Sequence, residues 1–399
     1  MKVGFKDDSF AFEFVRNLGF AYYGGSDIAE LFATVDSITE GDFDSWYNEW
    51  HSRGERVAGR AEEYVSGGHP VSAREALLRA STYFRMSEFY LHGNPDDPRI
   101  LADAKASQEA YAEAAELMGP TWEPVEIPYE GTTLPGYFYK PDESNEPRPT
   151  LIFHGGYDSS VEELYYFGAA AAIRRGYNCL TFDGPGQGMP LREQKLYFRH
   201  DWEKVVTPAV DYAVSRPDVD AGRLALKGMS LGGYLAARAA AFESRFKAVI
   251  LFDGVWSMYD SIVNIMPPEA KEALDNEDAD TFNELAQNVM DANTQMRWTF
   301  TQGTFSFGQK TSYDFMVACK KMTLDGRILD GIKCPTLVMK ADGDQFFRGQ
   351  PERVYEELTA PKTFAAFHEE DGAENHCQSG ALAYKDEVVF NWLDDTLKA

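Results

Sequence analysis

The chain is poor in cysteine, in positive charge and in long apolar runs, and each shortage removes a class of protein. Four cysteines, Cys179, Cys319, Cys334 and Cys377, are scattered through 399 residues. Their spacing fits neither a disulfide framework nor a metal-ligand set, so free thiols and no bound metal are expected. Against 64 acids stand 38 lysines and arginines, a formal charge of −26. That balance excludes a phosphate-gripping nucleic-acid surface and speaks against an anionic membrane partner; solubility accounts for the acidity. No stretch reaches the roughly 18 apolar residues of a membrane-spanning helix. The opening Met1-Lys2-Val3-Gly4-Phe5-Lys6-Asp7-Asp8 has acids where a secretory signal has its apolar segment, so a cytoplasmic protein is expected.

What is present suffices for a large core: 44% hydrophobic and 14% aromatic residues, in a chain longer than one average domain. Residues 1–120 carry helical periodicity, as in Ser72 to Ala80 and Ala104 to Leu117. Ser72 with Glu75 reads as a capping box, and Gly119-Pro120 as a helix stop. The aromatics Trp46, Trp50, Tyr83, Phe84, Phe89 and Tyr90 are expected chiefly in its core. From 121 the pattern turns to strand. Val125 to Tyr129 and Pro135 to Tyr139 read as an opening antiparallel pair. Six further apolar runs follow, beginning at Thr150, Asn178, Arg223, Ala248, Thr336 and Thr363, most of them alternating with helix, the signature of a mostly parallel sheet. Residues 121–253 and 325–399 thus form two parts of one α/β core. Residues 254–324 contain no strand of the series and read as a helical lid above the strand ends.

The apolar run Leu224-Ala225-Leu226-Lys227 leads straight into Gly228-Met229-Ser230-Leu231-Gly232 and then into helix-forming residues. Gly-x-Ser-x-Gly between strand and helix is the pattern of a nucleophile elbow, where small neighbours permit a sharp turn that exposes a hydroxyl. A serine there needs a histidine to take its proton, and the histidine a carboxylate to orient it, in the chain order Ser, acid, His. Asp344 ends the strand-like run from Pro335 and is the favoured acid, with Asp342 as runner-up. His376 lies in the loop after the last strand and is the favoured base, with His368 competing from the strand end. The five earlier histidines precede the serine, in the wrong order. A tetrahedral oxyanion would need two backbone donors, assigned to Leu231 and, in His154-Gly155-Gly156-Tyr157-Asp158, to Gly156. Asp183-Gly184-Pro185-Gly186-Gln187-Gly188 lacks both P-loop and dinucleotide spacing; it reads as structural, and no cofactor is expected.

His154-Gly155-Gly156-Tyr157-Asp158, Phe182-Asp183-Gly184-Pro185-Gly186-Gln187-Gly188, Gly228-Met229-Ser230-Leu231-Gly232-Gly233 and Gly372-Ala373-Glu374-Asn375-His376-Cys377 together resemble one branch of the α/β-hydrolases, that of 2,6-dihydroxypseudooxynicotine hydrolase and the fungal yellowish-green pigment hydrolases. The resemblance covers residues 121–399 and, less closely, the helical N-terminal region. It implies an eight-stranded α/β-hydrolase fold and metal-free hydrolysis of a carbon–carbon bond next to a ketone, in an aromatic or polyketide-like small molecule. By motif, Ser230, Asp344 and His376 carry it. One member of the branch also uses a carboxylate near the cap, for which Asp253 and Asp260 are the candidates here; as plain structure they read as a turn residue and a helix cap. Tyr157, Asp158, Trp256 and Trp298 are further candidates for substrate contact, and the aromatics Trp256, Tyr259, Trp298, Phe300, Phe305, Phe307 and Tyr313 would suit an electron-rich ligand. The same triad serves a carboxylesterase, a thioesterase or an acyltransferase, and a decayed triad would leave a ligand receptor. The helical N-terminal region is compatible with a dimer.

Overall fold

The computed structural model describes residues 3–397; Met1 and Lys2 of the polar opening segment, and Lys398 and Ala399, lie outside it. Its centre is an eight-stranded sheet of β1 (Trp122–Tyr129), β2 (Thr132–Tyr139), β3 (Arg148–His154), β4 (Asn178–Phe182), β5 (Val219–Met229), β6 (Ala248–Phe252), β7 (Thr336–Ala341) and β8 (Lys362–Phe367). The spatial order is β1-β2-β4-β3-β5-β6-β7-β8. β1 pairs antiparallel with β2, and β2 antiparallel with β4; every later pairing is parallel. Burial follows position. β1, at the edge, alternates buried and open residues, while β4 and β6 are buried throughout, as strands covered on both faces must be.

Helices occupy the N-terminal stretch up to Met118, where Gly119 at φ 77° ends the last of them. Three long ones, Phe43–Ser66, Pro70–Glu88 and Pro98–Met118, pack on one another. Trp46, Trp50, Tyr83 and Tyr90 are buried among them with Phe10 and Phe14. The capping box expected at Ser72 does not form: the helix starts at Pro70, because proline suits a first helical turn whose N–H has no partner anyway, and Ser72 lies inside it.

Beyond β6 the chain leaves the sheet for five helices between Met258 and Cys319, and an antiparallel bridge between Ser257 and Thr323 closes this excursion at its base. The four cysteines are free thiols. No helix among the described residues is long and apolar enough to cross a membrane.

Candidate active site

The turn after β5 places Ser230 at φ 60°, a left-handed conformation that a non-glycine residue adopts only under constraint. Its surroundings leave no alternative. A Cβ on Gly228 would lie 1.9 Å from the Gly232 carbonyl oxygen, and one on Gly233 1.7 Å from that of Asp253. The Ser230 amide donates to the Phe252 carbonyl, clipping the turn to β6. The helix Gly232–Phe242 then starts directly beneath the hydroxyl, its N-terminus turned toward the site.

Ser230 Oγ stands 2.9 Å from His376 Nε2, and His376 Nδ1 2.9 Å from Asp344 Oδ2. Asp344 is itself fixed, since its Oδ1 accepts from the amides of Phe346 (2.7 Å) and Phe347 (3.2 Å). Burial alone would lower the His376 pKa, but Asp344, Cys377 and Asp253 hold it well above the ordinary value. The two runners-up are found elsewhere: His368 Nδ1 pairs with Asp342 at 2.6 Å on the exposed rim of the sheet. His154 is a core histidine, stacked near Phe182 and Trp202 and lowered by burial to about 4, hence neutral.

Gly156 backs onto the elbow, where an added Cβ would lie 2.9 Å from the Leu231 nitrogen and 3.0 Å from Ser230 Cβ. The glycine loop after β3 and the elbow therefore touch, which is the approach two converging amides require. Gln187, in the glycine-rich loop after β4, holds that loop. Its Nε2 donates to the carbonyls of Gly155 (2.8 Å) and Gly156 (3.0 Å), while its Oε1 accepts from the Gly184 amide. The sequence singled out this loop, yet gave no reason to select Gln187.

Ser230 and His376 open on a cleft whose wall is largely apolar, with Phe12, Met258, Ile262, Trp298 and Phe346 among its members. Tyr157, Asp158 and Trp298 line it. The Tyr157 hydroxyl donates to the Thr299 carbonyl at 2.6 Å and Gln302 Nε2 to the Tyr157 carbonyl at 2.8 Å, so the inserted helix Thr294–Ser306 is tied to the glycine loop. Arg16 also lines the cleft, a residue sequence reasoning missed. It comes from the helix Asp8–Gly19 and binds Asp158 at 2.7 Å and Glu163 at 2.6 Å.

Three substrate candidates fall elsewhere. Trp256 and Asp260 line a neighbouring surface cleft with Arg353. The reason is local: Gln350 Oε1 accepts from the Trp256 and Ser257 amides and draws this stretch toward the helix after β7, where the Arg353 guanidinium lies 3.8 Å over the Trp256 ring. Asp260 occupies the first turn of a helix that Ser257 caps. Asp253 is fully buried behind His376 and does not line the cleft. Of the aromatics expected to greet a ligand, Trp298 does so, while Phe300 and Phe307 pack on Phe315 and Phe305 stacks on His92. Phe89 from the N-terminal helices stacks on Trp298 at 5.3 Å.

Asp253, His376 and Cys377 bring a carboxylate, a ring nitrogen and a thiol within 4.8 Å of one another. Both ring nitrogens of His376 are already engaged, by Asp344 and Ser230, so a cation could take this set only by breaking one of those contacts.

Comparison with known proteins agrees with this architecture. A family model described as "Alpha/beta hydrolase family" matches residues 150–386, and one described as "Esterase FrsA-like" matches residues 26–264. Hydrolase LUC6 of Fusarium sp is 39% identical over 98% of this chain and 97% of its own. The 20-hydroxy-prefusarin hydrolase FUS2 of Gibberella moniliformis is 38% identical over 98% and 97%. The crystal structure of 2,6-dihydroxy-pseudo-oxynicotine hydrolase superposes with a TM-score of 0.76 at 23% identity, covering 96% of each chain. Sheet order, elbow and full-length likeness to named hydrolases converge on one conclusion: the chain belongs to the alpha/beta hydrolase family and is an enzyme of that family.

Proposed function

We propose that the protein hydrolyses a carbon–carbon bond next to a ketone in an aromatic or polyketide-like small molecule, through an acyl-enzyme on Ser230. The observation that carries the reading is the unbroken chain Ser230 Oγ, His376 Nε2, His376 Nδ1, Asp344 Oδ2, with 2.9 Å at each contact, opening on a largely apolar cleft. The full-length likeness to a 20-hydroxy-prefusarin hydrolase supports a natural-product substrate, and the likeness to 2,6-dihydroxy-pseudo-oxynicotine hydrolase supports the fold that carries it.

His376 takes the Ser230 proton as Oγ attacks the ketone carbon, and the amides of Leu231 and Gly156 receive the oxyanion. When the carbonyl re-forms, the carbon–carbon bond breaks and its electron pair passes to the leaving carbon, where a second carbonyl spreads it as an enolate. The imidazolium protonates that carbon. Water, deprotonated by His376, then attacks the acyl carbon and releases a carboxylic acid and Ser230. Phe12, Met258 and Ile262 supply an apolar bed for the chain or ring, and Arg16 with Asp158 a polar end.

A carboxylester substrate is the second reading, favoured by the match to an esterase family model; the leaving group alone separates the two. The test is purified protein given aryl β-diketones and p-nitrophenyl esters, with kcat/KM compared. Diketone turnover equal to or above ester turnover is expected, and Ser230→Ala should lose at least about 10³-fold on either. Ester turnover faster by orders of magnitude would overturn the carbon–carbon assignment, and full activity in Ser230→Ala would overturn both readings.

A further inference from the structure

We propose that His376 is served by two carboxyls, and that Asp253 is a positioning residue able to take over its Nδ1–H when Asp344 cannot. The inference rests on the reading of Ser230 and His376 as nucleophile and base. Asp253 Oδ2 lies 2.9 Å from His376 Nδ1, the same separation as Asp344 Oδ2. Asp253 is the first residue past β6 and Asp344 stands beyond β7, so two adjacent strands deliver carboxyls to one nitrogen.

One N–H cannot serve two acceptors fully, and the aligned hydrogen bond goes to Asp344. Asp253 keeps weaker company: the Cys377 amide at 3.4 Å and its thiol at 3.6 Å reach Oδ2, while Oδ1 has no hydrogen-bond partner although the residue is fully buried. Among the described residues no lysine or arginine pairs with Asp253. Two carboxyls around one neutral imidazole do not both ionise in a buried site. With two amides and the aligned ring N–H on Asp344 and no cation beside Asp253, the shared proton rests on Asp253. Burial and the neighbouring Asp344 push Asp253 upward. Burial would raise Asp344 too, but His376 and the two backbone amides hold it below the carboxylate range.

In this arrangement Asp253 is silent in the intact enzyme and becomes the orienting anion once Asp344 loses its charge. An amide at 344 no longer competes for ionisation, and Asp253 is already at bonding distance from the ring. A buried carboxyl that merely filled space would give no such rescue.

The test compares Asp253→Asn, Asp344→Asn and the double variant in the full chain, by the rate at which a fluorophosphonate labels Ser230 and by the downfield proton resonance of the His376 Nδ1–H. Asp253→Asn alone should label within about threefold of wild type. Asp344→Asn should lose about 10- to 100-fold and retain the resonance. The double variant should fall by the roughly 10⁴-fold that loss of a lone triad acid causes and lose the resonance. If Asp344→Asn is already as slow as the double variant, Asp253 has no such role. If the double amide variant does not fold, Asp344→Ser with and without Asp253→Ser repeats the comparison. Ser230→Ala separates the two failures: if it abolishes labelling while the two Asp344 variants coincide, only the role of Asp253 falls.

Discussion

At the scale of single residues, the candidate site was legible where its pattern is written locally. The Gly-x-Ser-x-Gly turn named Ser230, the strand-end acid named Asp344, and the last loop named His376, all without knowledge of contacts. Asp253 was read as a turn residue at a strand end, which it is, but its second partner follows from sheet order: β6 beside β7 is what lays its carboxyl against His376. As the proposed base, His376 would also set the pH behaviour. On the proposed mechanism the base must be neutral to accept the serine proton, and this imidazole is held well above its usual value, chiefly by Asp344. The acid limb of kcat/KM should therefore lie above the ordinary histidine value of about 6.5. Removing both carboxyls, as Asp344→Asn with Asp253→Asn, should shift it downward, and a pH–rate profile of the wild type and the double variant checks this. The same elevation stabilises the fold through the protonated ring, fully below about pH 6.5, and that contribution fades as pH rises through the elevated value. Activity and this part of stability thus run in opposite directions across the same window.

At the scale of elements, the strands announced themselves by apolar runs and the inserted helices by their absence. Boundaries were less legible: β5 begins at Val219, four residues before the run that revealed it, because Asp220 and Gly222 carry no apolar signal. The aromatics of the inserted helices misled for a physical reason, since a helix packed on a core must bury rings on one face whether or not a ligand waits on the other. The loop after β4 was read as structural, and its structural task bears on chemistry. Gln187 binds two consecutive carbonyls of the glycine loop, turning the Gly155–Gly156 segment into a fixed orientation. Gln187→Ala should lower kcat by about 10- to 100-fold with little change in KM, since a loosened oxyanion loop loses transition-state contacts rather than substrate affinity. Steady-state kinetics on whichever substrate is turned over would show the split. A rise in KM at unchanged kcat would contradict it.

At the scale of the whole molecule, the N-terminal helices and the core share one buried ionic cluster. Arg16 and Arg85 stand against Glu13, Asp158 and Glu163, at 2.6–3.5 Å. Burial pushes Glu13 upward while Arg16 and Arg85 pull it back. None of this was visible in the sequence, where Arg16 is one cation on an amphipathic helix and Glu163 lies 147 positions away. Removing Arg16 leaves Asp158 and Glu163 short of half their compensation in a dry interior. Arg16→Met should cost about 3–5 kcal/mol, read as a lowered denaturant midpoint. Arg16→Met paired with Glu163→Gln should recover part of that loss, because the partner no longer carries an uncompensated charge.

That cluster sets synthesis against assembly. A ribosome releases Arg16 and Arg85 long before Asp158 and Glu163 exist, so the nascent helices emerge with two cations that only Glu13 and water can compensate until the loop after β3 arrives. The helices can pack on their own aromatic core meanwhile, but their docking to the sheet is completed only when that loop has been made.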